Sequence, residues 1–170
     1  MGKKFYKDDK VWRQMKRNLR AKKSQINVGW FEGQNYGPDN NNLPMAQVAQ
    51  WVEEGHRGGW GPTPARPAIR TLFIPTLAES GELTKFAIPL IHEVAMGRMT
   101  WKKLHEKIAP KILYRFKLAL EVYSVKPNSP TTIALKGFND PWVETGALIS
   151  NARFKVDDYK ASDYKVSYRL

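Results

Sequence analysis

Few residues in this sequence are placed to do covalent chemistry. Its 170 residues include three histidines and no cysteine, which excludes thiol nucleophiles, disulfides and thiolate metal sites. His92-Glu93-Val94-Ala95-Met96 begins like a zinc-protease helix, in which two imidazoles one turn apart hold the metal. Met96 stands where the second ligand belongs, so His92 reads as a partly exposed helical histidine. His56 and His105 have no carboxylate or nucleophile at motif spacing. Gly58-Gly59-Trp60-Gly61 runs into Pro62 without the Gly-Lys-Ser/Thr that completes a phosphate-binding loop. Glu53-Glu54 and Asp157-Asp158 are neighbours in sequence, so their side chains point apart on a helix or strand and do not converge for acid–base work. The expectation is a protein without catalytic residues, cofactor or metal, and so not an enzyme.

Positive charge is what stands out instead. The net charge is +12, and residues 1–23 hold ten Lys/Arg against Asp8 and Asp9, so they carry two-thirds of the excess. Val11, Trp12, Met15 and Leu19 recur at helical spacing and predict an amphipathic helix over about residues 8–23. Lys10, Arg13, Lys16, Arg17 and Arg20 supply its basic side. Such a face is either an ordinary solvated surface or a contact for DNA phosphates or an acidic neighbouring subunit. No helix-turn-helix, zinc finger or RNA-binding signature accompanies it, so any double-stranded DNA contact would be backbone-only, non-specific and salt-dependent. The aromatic series Trp30, Phe31, Tyr36, Trp51 and Trp60 reads as core packing and interface anchors, with base stacking the less common use. No apolar run approaches the roughly 18 residues of a membrane span, and no apolar stretch follows the basic Met1-Gly2-Lys3-Lys4. No membrane contact is expected.

The elements that must carry these residues follow from periodicity. Hydrophobic residues make up 42% of the chain and aromatics 12%, enough for a folded core. Ile26, Val28 and Trp30 alternate along a strand at 25–31, and turn residues fill 33–44. A helix is predicted from Met45 to about Glu54, with Gly55 ending it in the left-handed conformation. Residues 55–67 read as extended, and Pro67 opens a helix to about Leu77. Residues 82–124 are the helical bulk: Trp101, Leu104, Ile108, Ile112, Phe116, Ala119 and Tyr123 form one stripe. Pro110 is expected to kink or split it near Ala109, and Pro89 and Gly97 to divide the earlier part. Alternation at 150–157 and 164–170 predicts a C-terminal hairpin. The sum is an α+β fold: a small, mostly antiparallel sheet covered on one face by helices, with a long helical middle and extended loops. A basic helix, 1–24, would precede a single domain, 25–170.

Three blocks, in order, resemble one family. They are Ile26–Phe31 with Met45–Gly55; Thr63-Pro64-Ala65-Arg66-Pro67-Ala68-Ile69-Arg70; and Ser129-Pro130-Thr131-Thr132-Ile133-Ala134-Leu135-Lys136-Gly137 followed by Pro141–Ser150, with Thr145, Gly146 and Leu148 at its turn. In physical terms, Ser129 can cap a helix whose first residue is Pro130, and Thr145-Gly146 can turn the chain toward the strand at 150–157. Together the blocks are similar to the tail-completion and neck proteins of tailed bacteriophages, also called virion-morphogenesis proteins. Ala68 departs from the family's usual Phe, Glu54 stands where an apolar residue is common, and Glu144 replaces Asp. The resemblance implies a structural virion protein made in the bacterial host cytoplasm and placed at the head–tail junction or the top of the tail. It would form a homo-oligomeric ring, a hexamer, serving as neck, connector, tail-completion or tail-terminator subunit. Its partners would be other neck, connector or tail-tube proteins, and Tyr36, Asn40, Asn41, Trp60 and Arg66 would lie in its subunit contacts.

Overall fold

The stripe of apolar residues after Trp101 dictates the longest element. In the computed structural model, which describes residues 9–21, 24–58, 61–143 and 145–158, helix α5 runs unbroken from Trp101 to Glu121. Leu104, Ile108, Phe116, Ala119 and the following Tyr123 are buried, as the spacing predicts. Along the chain the other elements are α1 (Asp9–Arg20), β1 (Ser24–Gly29), α2 (Met45–Glu54), β2 (His56–Gly58), β3 (Gly61–Thr63), α3 (Ile74–Ala78), α4 (Gly81–Ala95), α6 (Pro130–Lys136), α7 (Ala147–Asn151) and β4 (Arg153–Asp158). The fold is α+β, with β1 paired to β4 and β2 to β3 in two small antiparallel sheets.

The chain forms two compact units. The first takes in residues up to 27, 81–109 and those from 155 on; the second takes in 28–80 and 110–154. In the first unit α1 packs on α4. Asn18 Nδ2 donates to the Ala95 carbonyl at 2.9 Å, satisfying a group that the end of α4 leaves open. Gly97 follows at φ +76°, and a Cβ there would sit 2.9 Å from Asn18 Nδ2. Among the described residues, Val94, Ala95, Leu104, Ile108 and Ala109 are the buried apolar residues of this unit.

The second unit centres on Phe116, which meets Trp30 and Phe73 edge-on at 5.4 and 5.1 Å between ring centroids. Met45, Ala49, Ala68, Leu120, Trp142, Leu148, Ile149 and Ala152 complete its core. Ser129 caps α6 as expected, accepting from the Thr132 amide at 3.2 Å, and Gly146 takes the left-handed conformation just before α7.

Several expectations are corrected. Pro89 and Pro110 lie inside α4 and α5 and divide neither helix. Both prolines, and Lys85 and Glu106 four positions earlier, are exposed, so solvent takes up the carbonyls that each missing N–H releases. The expected helix after Pro67 is present, but its first part, Ile69–Phe73, is a wide turn in which Ile74 N–H bonds back five residues to Ile69 O; Pro75 then stands in the first turn of α3. Residues 147–151 are helical, so the last described strand starts at Arg153 and not at 150. The hairpin β2–β3, with His56 opposite Thr63, lies where extended chain alone was predicted. The strand expected at 164–170 falls outside the described residues.

Gly55 ends α2 at positive φ, but its pair φ +76°, ψ 162° is an extended conformation open essentially to glycine alone. A Cβ there would lie 2.7 Å from Thr63 O and 2.8 Å from Ala65 N. Gly55→Ala should therefore destabilise by about 2 kcal/mol or more in urea unfolding. Gly37→Ala, at φ −71° with open space around it, should change stability by less than about 0.5 kcal/mol.

Candidate functional site

The three sequence blocks meet in the second unit around Arg66. Its amide donates to Val52 O at 2.8 Å, tying it to the end of α2. Its carbonyl accepts from Trp142 Nε1 at 3.2 Å, which ties it to the block after α6. The residue as a whole is only 9% exposed, and its guanidinium reaches the Lys126 and Pro127 carbonyls at 3.4 Å. Burial lowers the Arg66 pKa from its ordinary value, without bringing a guanidinium near deprotonation at neutral pH.

Two further bonds close the same arrangement. Trp30 Nε1 donates to Leu148 O at 2.7 Å, so the first block also reaches the third, and Gln34 Nε2, in the loop after Phe31, donates to Asn151 O at 2.7 Å just beyond it. Glu53 accepts from the Ile69 and Arg70 amides at 3.0 and 2.9 Å, capping the turn that begins at the end of the second block. Burial raises the Glu53 pKa despite these two amide bonds and the nearby Arg70. Glu54, by contrast, accepts from Gln50 Nε2, so the adjacent acids do point apart.

A cleft of about 210 Å³ opens among these blocks. Val48, Val52, Trp142 and Leu148 contribute apolar lining; Tyr36, Thr132, Lys136 and Thr145 contribute polar groups. Lys136 Nζ donates to Asp140 O at 2.9 Å and to Val143 O, folding residues 137–143 over its own helix end. Its ammonium also sits 4.9 Å from the Phe138 ring centroid. Asn128 lines the cleft, is 7% exposed, and its side-chain amide nitrogen has no partner. Ligand pockets usually run to about 300 Å³ and more, so this cleft has room for little beyond a single side chain.

The remaining expected residues are distributed as follows. Ile133, Pro67 and Gly146 are half-buried, Thr145 and Pro64 exposed, and Leu148 buried. Asn40 and Asn41 sit exposed at a tight turn, Asn41 at φ +52°. Tyr36 packs against the core. Trp60 and Glu144 are outside the described residues. Trp51 stacks on His56 at 5.0 Å, and Trp30 is packed within the unit, so neither forms an open platform.

Sequence reasoning missed three polar arrangements. Ser24 Oγ lies 2.8 Å from His105 Nδ1, and burial lowers the His105 pKa. Glu93 is clasped by Arg98 through two contacts of 2.7 Å, which hold its pKa at about 2. Asn128 carried no local signal. Among the described residues no group of three or more His, Asp or Glu is placed to hold a metal, and no helix is long and apolar enough to cross a membrane.

In the first unit, Lys10, Arg13, Lys16, Arg17 and Arg20 are all exposed along α1, while Met15, Asn18 and Leu19 are half-buried. Lys16 Nζ lies 5.3 Å from the Trp12 ring centroid. Comparison with known proteins finds no matching family model, no matching curated protein and no matching solved structure.

Trp142→Phe keeps an aromatic ring in place but removes the indole donor to Arg66 O, which retains the Ala68 amide at 2.8 Å. It should lower unfolding free energy by about 1 kcal/mol. For Glu53 the folded pKa is raised, so the folded state holds the proton more tightly than the unfolded chain. Its contribution is fully present below the unfolded value near 4.5 and is lost as pH rises through the folded value. Chemical denaturation of wild type and Glu53→Gln across that window should show wild type losing stability relative to the variant as pH rises.

Proposed function

We propose that this chain is a structural subunit of a tailed-bacteriophage particle, acting by assembly and not by catalysis. It would form a homo-oligomeric ring, a hexamer, at the head–tail junction or the top of the tail, as a neck, tail-completion or tail-terminator protein. One observation supports this reading above the others. The three blocks that resemble that family are hydrogen-bonded to one another through Arg66, Trp142 and Trp30 within a single unit. Here each supplies a donor or acceptor to another.

The contact surface in this reading is the exposed turn at Asn40 and Asn41 together with the hairpin β2–β3. Short strands with free edges are paired readily by another chain. The partners would be further copies of this chain and the adjoining neck, connector or tail-tube proteins.

Mass photometry of the purified protein should find a species near six times the 19.5 kDa chain mass. Asn40→Trp, at an exposed turn, should leave the fold intact and weaken assembly by about tenfold or more, a loss of about 1.4 kcal/mol. A chain that stays monomeric at every concentration would count against the proposal.

A further inference from the structure

We infer that the outer face of α1 is a binding surface for the phosphate backbone of double-stranded DNA. At about 100° per residue, Lys10, Arg13, Lys16, Arg17 and Arg20 fall within an arc of about 120°. That arc faces away from Met15, Asn18 and Leu19, the half-buried side of the helix. All five cations are exposed, and the helix carries a single acidic residue, Asp9, at its first position. A hollow of about 510 Å³ borders the helix, lined by Lys10, Arg13 and Arg17 together with Val11 and Gln14.

The face is presented by an anchored element. Asn18 holds α1 to the last turn of α4 through the Ala95 carbonyl, and Gly97 leaves the space that this asparagine needs. Cations on a fixed helix lose less freedom on binding than the same charges on a flexible tail.

The composition of the arc favours DNA over a protein partner. Protein interfaces are depleted of charge at their centre and rely on aromatic or aliphatic anchors. No apolar side chain falls inside this arc; the exposed Trp12 lies about 40° beyond one edge, and Val11 lies on the opposite side of the helix. A row of like charges without an apolar centre matches a uniformly anionic polymer. The contact is assigned to phosphate because five cations spaced along one helix face match the regular charge of the backbone, and no base-reading motif accompanies them.

The test is the salt dependence of binding between the full chain and a short random-sequence DNA duplex, followed by fluorescence anisotropy. Five phosphate contacts predict a slope of log K against log salt of about −4.5 or steeper, roughly a 500-fold loss between about 50 and 200 mM. Replacing Arg13, Arg17 and Arg20 by Ala should make the slope shallower by about 2.7, whereas replacing all three by Lys should leave it unchanged. Replacing the exposed Lys102, Lys103 and Lys107 of α5 by Ala should also leave it unchanged. Equal losses from the α1 and α5 triple variants would overturn the inference, as would polyglutamate competing as well as DNA at equal charge. This binding does not require a ring, so its outcome is separate from that of the assembly proposal.

Discussion

Arg66 ties three separate segments of the second unit together. Its amide, carbonyl and guanidinium each hold a different segment: the end of α2, Trp142, and the carbonyls of Lys126 and Pro127. A guanidinium buried without partners would be severely destabilising. Two backbone carbonyls make its burial tolerable, and in doing so they fix the path of the chain leaving α5. Pro67 follows directly, with its fixed φ and no N–H of its own, so the segment has little freedom to take another course. Everything that lines the cleft is positioned from this junction: Val48 and Val52 on one helix, Thr132 and Lys136 on another, and Trp142 on the segment between α6 and α7.

Much of this was legible in the sequence where the cause is local. The stripe along α5 gave the burial of Leu104, Phe116 and Tyr123, because a helix repeats its faces at a known period. Ser129 with Pro130 marked a helix start for reasons contained in four residues. What escaped the reading depends on partners distant in sequence. Arg66 looks like a surface cation until the carbonyls sixty residues later come beside it. Glu53 looks like half of an idle acidic pair until the chain returns at Ile69 and Arg70. The hairpin β2–β3 was hidden because three-residue strands containing Gly and Pro carry almost no strand signal. Pro89 and Pro110 misled in the opposite direction: a proline removes one donor, and an exposed helix back tolerates that loss.

The same contrast separates the two surfaces proposed to matter. The basic face of α1 was visible from composition, since ten Lys/Arg fall within the first 23 residues; the structure adds that its cations share one exposed side of a helix pinned at Asn18. The junction at Arg66 was visible only as a resemblance, and the structure supplies the bonds through which its blocks support one another. Charge would recruit an anionic partner, while the rigid second unit would present exposed loop residues such as Asn40 and Asn41 to neighbouring copies.

The most direct test of the assembly role is where the chain resides in a finished particle. Cryo-electron microscopy of particles of the tailed phage proposed to encode it, with density assigned by the α5 stripe and the Arg66–Trp142 junction, would locate each copy. A closed ring of this subunit at the head–tail junction or the top of the tail is the predicted result. Complete, tailed particles with no copy of the chain at either place would contradict it.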